Sequence, residues 1–203
     1  CLLSRGLGDV YKRQVLKDYR FYIMCMTMLA MPWIATGSFV YQSFISSSKE
    51  WGPYVIAQSF MAYSILSVIT LFISGFLIDK FSSRKLLIYM NIPLLFGTIV
   101  LYYFDAPLSS FVFFGLVGVT NGLANVLGSS TWAEIYGVKY IGSIKALTTA
   151  LMVFSTAFGT ALFGFLIDIG FSIEDIAVVS GTYIFGSIIL LYLVKNKLNP
   201  HYL

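Results

Sequence analysis

Few residues in this sequence can do chemistry, and their types suit reversible recognition better than bond-making. The single histidine, His201, stands beside the C-terminus, and of the two cysteines Cys1 opens the chain while Cys25 lies inside an apolar run. Neither a disulfide framework nor a Cys/His metal pattern is available. An intramembrane metalloprotease needs H-E-x-x-H on a helix, and a rhomboid-like serine protease also needs a membrane histidine. Aspartyl types need two buried acids, whereas Asp79, Glu134 and Asp168 all fall at the edges of apolar runs. The reading is a non-enzyme with no cofactor and no metal. What remains is uncharged polar side chains set deep in apolar segments. Gln42, Gln58, Tyr63, Asn121 and Asn125 are the foremost, with Trp132, Ser155 and Thr156 behind them. Asn121 and Asn125 are one helical turn apart on one face. Such groups are costly against lipid and face a cavity or another helix, so they are candidates for a substrate cavity or for interhelical glue.

A second cluster reads Gly75-Phe76-Leu77-Ile78-Asp79-Lys80-Phe81-Ser82-Ser83-Arg84-Lys85. Gly75 would let a neighbouring helix approach closely. Asp79, at a segment boundary, wants a cation or a helix N-terminus, where the helix dipole favours negative charge. The pentapeptide Gly-Phe-Leu-Ile-Asp occurs here at 75–79 and again at 164–168.

The elements that must position these residues follow from composition. Hydrophobic residues make up 58% of the 203 and charged ones 11%, with a mean hydropathy of +0.84. A soluble domain carries about twice that charge fraction, and a chain of this length cannot bury so much apolar surface in one core. Stretches free of Asp, Glu, Lys and Arg run over 21–48, 51–78, 86–104, 106–133, 146–167 and 176–194. A bilayer core of roughly 30 Å takes about 20 apolar residues of helix, and the runs are continuous where a barrel strand would alternate. Six membrane helices are expected, at about 21–46, 54–78, 86–104, 108–133, 146–167 and 176–194. Pro53 suits the first turn of its helix, Pro32 and Pro93 are expected to kink spans one and three, and Gly118-x-x-x-Gly122 is a close-packing spacing.

Residues 4–14, SRGLGDVYKRQ, resemble the read-through translation of a transposase sequencing adaptor, so 1–14 are set apart as non-native and the native sequence is expected to begin near Val15. Outside that segment nine basic residues fall on one side of the six spans: Lys17, Arg20, Lys80, Arg84, Lys85, Lys139, Lys145, Lys195 and Lys197. The other side holds only Lys49. By the positive-inside rule both ends of 15–203 are cytoplasmic, in the inner (plasma) membrane. The net positive charge reflects topology and gives no case for nucleic acid as a partner.

The 75–85 segment resembles the cytoplasmic signature loop of the major facilitator superfamily, G-x-x-x-D-R-x-G-R-R/K. Gly75, Asp79 and Arg84 match, Lys80 is conservative, and Ser82 and Ser83 replace the Gly and first Arg, which puts the tight turn in question. Trp132-Ala133-Glu134-Ile135-Tyr136-Gly137 and Trp33 to Gln42 are similar to segments of the monocarboxylate-transporter-like bacterial branch. The resemblance implies an all-α membrane fold, six helices as a 3+3 inverted repeat forming the C-terminal half of a transporter. It also implies a gating loop of Gly75, Asp79, Lys80, Arg84 and Lys85. Its partners would be the bilayer, a small solute and an N-terminal six-helix half missing from this sequence. The implied function is alternating-access transport of a small organic solute such as a monocarboxylate. A drug-type efflux permease, or a stand-alone six-helix channel or assembly subunit, is the alternative. Carboxylate carriers of the superfamily commonly place a charge at mid-depth in a span, and this sequence has none there.

Overall fold

The computed structural model describes residues 15–139 and 141–198. The adaptor-like segment 1–14 and His201 lie outside them. Eight α-helices are described: α1 Tyr19–Val40, α2 Gln42–Ser48, α3 Pro53–Phe81, α4 Ser83–Leu86, α5 Ile92–Tyr103, α6 Pro107–Tyr136, α7 Ile141–Asp168 and α8 Ile173–Val194. They make six spans long and apolar enough to cross a membrane: α1, which the short α2 follows, then α3, then α4–α5, then α6, α7 and α8.

The ends of these helices extend past the charge-free runs, because a helix need not stop where its first charge appears. Span 2 continues to Phe81, span 5 starts at Ile141 and span 6 at Ile173. Pro53 and Pro107 open α3 and α6, where the missing N–H is one the helix would leave unpaired anyway. Ser172 and Asp175 close a reciprocal capping box on α8.

Two of the expected spans are not single helices. Span 1 stays helical through Pro32 but bends at Tyr41, and α2 then runs as a separate short helix carrying four serines. Serine side chains compete for backbone hydrogen bonds, and Ser46 does so by donating to the Trp51 carbonyl at 2.9 Å. Span 3 does not kink at Pro93. It breaks, passing through a 3₁₀ turn at Leu87–Tyr89, and α5 restarts with Pro93 in its first turn. Proline disfavours helix in the residue before it, and the break leaves the Asn91 amide free to donate to the Thr27 carbonyl of span 1 at 2.6 Å.

Span 2 packs along span 4, and span 5 along span 1; span 3 lies against spans 4 and 6, and span 6 also against span 1. Exchanging the first three spans with the last three returns the same set of pairings. Consecutive spans alternate in direction, so a unit of three maps onto its successor upside down. This is the inverted 3+3 repeat, and the two Gly-Phe-Leu-Ile-Asp segments close its equivalent helices, α3 and α7, at opposite ends.

The paired crossings depend on missing side chains. A Cβ on Gly118 would run into the Tyr63 carbonyl in the span 2–4 crossing, and one on Gly159 into the Trp33 carbonyl in the span 1–5 crossing. In lipid, helices associate by such close packing because tails are as apolar as leucine. The buried residues form two clusters stacked along the bundle. One includes Trp33, Ile45, Trp51, Phe113, Phe114 and Phe163; the other includes Phe21, Met24, Leu127, Trp132 and Ile135.

Candidate functional site

The two ends of the bundle carry different charge networks. At the basic end Arg20 forms an ion pair with Asp18 at 2.7 Å and donates to the Lys197 carbonyl at 2.8 Å. Asp18 also caps α1 and accepts from the Tyr136 hydroxyl at 2.9 Å. At the opposite end Lys49, whose side chain is 1% exposed, contacts Asp105 at 2.5 Å and Glu174 at 2.6 Å. The Trp51 indole N–H donates to the Asp105 carbonyl at 2.7 Å. Burial alone would lower the Lys49 pKa, but its bonds to Asp105 and Glu174 more than offset that and hold it above the ordinary lysine value. This clasp joins the loop between spans 1 and 2, the loop between spans 3 and 4, and the start of span 6.

In the loop between spans 2 and 3, Ser82 adopts φ 73°, the left-handed region where the signature pattern has glycine. The tight turn is therefore kept, and the serine gains a contact a glycine could not make. Its hydroxyl donates to Glu134 at 2.6 Å, and the Ser83 hydroxyl and backbone N–H donate to the same carboxylate at 2.6 and 2.9 Å. Arg84 completes the cluster, 3.0 Å from Glu134, and donates to the Leu198 carbonyl at 3.1 Å.

Asp79 is exposed and makes no hydrogen bond or ion pair among the described residues, so the carboxylate that meets Arg84 is Glu134. Gly75 does not admit a neighbouring helix here, since a Cβ placed on it would meet open space. Both lie on the least buried of the six spans. Lys80 is exposed and lies over the Phe81 ring, and Lys85 lines a surface pocket with Arg84 and Lys195.

A cavity of about 230 Å³ lies between spans 1, 4 and 5. Asn121, Asn125 and Trp132 line it, so three of the eight polar candidates come together. Asn121 sits midway along α6 and Trp132 near its basic end, a spread of roughly 16 Å at 1.5 Å per residue. The Asn121 amide also donates to Ser67 at 2.8 Å, and Asn125 donates to the Asn121 carbonyl at 2.9 Å. Asn121 is thus both cavity lining and a tie between spans 2 and 4. Met28, Met31, Met90 and Met152 supply much of the apolar wall, a flexible and polarizable lining.

The other five candidates lie elsewhere. Gln42 lines a separate open groove with Trp51 and Phe60. Gln58 is exposed, and Tyr63 stands edge-on to Phe39 with ring centres 5.1 Å apart. Ser155 donates to the Leu29 carbonyl at 3.0 Å, which makes it a tie between spans 1 and 5, and Thr156 donates to Val153 in its own helix at 2.7 Å.

Several lining residues escape a reading of apolar runs, among them Ser129, Lys145 and Thr149. Lys145 reads as a loop residue until α7 is seen to begin at Ile141, which carries it onto the helix. The signal available was the spacing of Lys145, Thr149 and Met152 on one helical face.

The sequence matches the family model described as Major Facilitator Superfamily over residues 22–201. The chain belongs to that superfamily. No curated protein and no solved structure gave a match. A six-helix bundle with inverted threefold units is one half of a major facilitator fold, and membership makes the chain part of a membrane transporter. The match is to the superfamily as a whole and does not reach a branch within it.

Proposed function

We propose that this major facilitator chain is one six-helix half of a secondary transporter that moves a small organic solute, a monocarboxylate among the class, by alternating access. The observation that carries this reading is the cavity between spans 1, 4 and 5. It holds polar groups from mid-depth at Asn121 and Asn125 to the basic end at Trp132. Polar groups at that depth mark solute paths. A second six-helix half packs against this one and completes the site, and the open space beside Gly75 and the exposure of Asp79 on span 2 support that arrangement. The loop from Gly75 through Asp79, Lys80, Arg84 and Lys85 biases the access state. The basic end faces the cytoplasm of the inner (plasma) membrane, as the nine-to-one distribution of basic residues supports.

The test is uptake by the complete polypeptide reconstituted in liposomes, with Asn125→Ala beside the parent. Solute-dependent uptake that falls at least severalfold in the variant, with insertion unchanged, supports the reading. Uptake that ignores the substitution removes the cavity from the transport path.

A further inference from the structure

A separate cleft of about 410 Å³ opens at the basic end of the bundle, where span 3 begins and span 6 ends. Arg84, Lys85, Ile88, Tyr89, Lys195 and Asn196 line it, three cations and no acid. Its two walls are tied together, since Arg84 donates to the Leu198 carbonyl at 3.1 Å. Among the described residues the acids at this end are accounted for elsewhere: Asp18 pairs with Arg20, Glu134 pairs with Arg84, and Asp79 stands on span 2 outside the cleft. Lys85 is exposed and makes no hydrogen bond or ion pair among the described residues. Lys195 lies over the Tyr192 ring of its own span, 3.5 Å from the ring centre, a contact that orients the ammonium and leaves its charge in place. Two lysines from two spans therefore line one cleft without an internal carboxylate. The cleft also has an apolar side. Ile88 is half-buried, Tyr89 is 60% exposed, and Tyr192 and Leu193 on span 6 are exposed too; tyrosines belong at the level of the lipid head groups. Span 6 contributes nothing to the solute cavity and span 3 only Met90. With the second half placed on span 2, spans 3 and 6 are left to lipid.

We propose that Lys85 and Lys195 form a head-group site for an anionic phospholipid at the edge of spans 3 and 6. The phosphodiester brings the acceptor oxygens and the negative charge that the two ammonium groups lack, and its acyl chains lie along the exposed apolar surface at Tyr89 and Leu193. Basic pockets between membrane helices take such head groups. A phosphate bound there joins the loop after span 2 to the end of span 6, beside the contact of Arg84 with Leu198. The site shares no residue with the solute cavity and stands or falls without it.

The experiment uses the complete transporter in detergent micelles, titrated with dioleoylphosphatidylglycerol or dioleoylphosphatidylcholine, with bound lipid counted by native mass spectrometry. The parent is expected to bind its first phosphatidylglycerol at least severalfold tighter than phosphatidylcholine. Lys85→Gln with Lys195→Gln weakens phosphatidylglycerol roughly tenfold to thirtyfold, the scale of two lysines at an anionic surface, and leaves phosphatidylcholine within about twofold. Lys85→Arg with Lys195→Arg keeps most of the affinity. Lys17→Gln with Lys139→Gln removes the same charge from exposed positions at the same end and changes binding by less than about twofold. Equal binding of the two lipids by the parent overturns the site, as does equal loss of both lipids in Lys85→Gln with Lys195→Gln. A loss as large in Lys17→Gln with Lys139→Gln shows diffuse attraction to the whole basic end and also overturns it. Release of the bound phosphatidylglycerol by excess inorganic phosphate assigns the cleft to free phosphate and overturns the lipid.

Discussion

Glu134 Oε1 lies 3.0 Å from the Arg84 guanidinium, and Oε2 accepts from Ser83, so the acid that holds the loop between spans 2 and 3 comes from the end of span 4. The loop's own Asp79 takes no part in that cluster. The two acids are thereby separated in role. Glu134→Gln is expected to lower stability in detergent by about 1–2 kcal/mol, a figure reduced because both side chains are a quarter exposed. Asp79→Asn is expected to leave unfolding unchanged and to reduce uptake. Thermal unfolding and liposome uptake on the same preparations check the pair, and equal destabilisation by both would contradict the assignment.

Ser82 holds a backbone conformation that suits glycine while bonding Glu134 through its hydroxyl. Ser82→Ala keeps the strain and loses the bond, for a cost of about 1 kcal/mol or more. Ser82→Gly relieves strain worth about 1 kcal/mol as it loses the same bond, so the two effects nearly cancel. Chemical or thermal unfolding should therefore rank parent and Ser82→Gly together, above Ser82→Ala.

The crossings at Gly118 and Gly159 are equivalent under the inverted repeat and leave no room for a side chain. Gly118→Leu and Gly159→Leu must push backbone apart and are expected to cost about 1–3 kcal/mol or more each. Gly75→Leu, in open space, is expected to leave the stability of the bundle unchanged. A melting series in detergent with all three substitutions reads this directly.

The number and order of the spans were legible because lipid imposes a length and an apolarity that no soluble context demands. The break at Asn91–Pro93 was only half legible. Proline announced a disturbance, but whether it kinks a helix or starts a new one depends on the Thr27 carbonyl that Asn91 reaches, on a span far away in sequence. The cavity was legible at Asn121, Asn125 and Trp132, whose polarity stands out in an apolar run. Gln58 and Thr156 share that polarity but point elsewhere, because period alone does not say which face of a helix meets a cavity. Lys145 was hidden by the opposite error, since a charge near a predicted boundary reads as loop.

Acid should weaken the basic end. Burial pushes the Asp18 carboxyl up, but hydrogen bonds from the Arg20 side chain and backbone and from Tyr136 outweigh it, leaving its pKa below the ordinary 3.8. The folded value is the lower one, so the contribution of Asp18 is fully present above the ordinary value and is lost as pH falls through the depressed one. Melting temperature in detergent should drop with acid in the parent and drop less in Asp18→Asn, which begins lower at neutral pH. Parallel profiles would contradict the role given to Asp18.

The central claim is that the cavity holding Asn125 is open to each side of the membrane in turn. With the native cysteines, Cys25 among them, replaced by Ala, Asn125→Cys in the complete transporter can be labelled by a membrane-impermeant thiol reagent in right-side-out and in inverted vesicles. Labelling from both sides, shifted toward one side by solute and shifted again by Asp79→Asn, is the predicted result. Labelling confined to a single side whatever the solute would contradict alternating access.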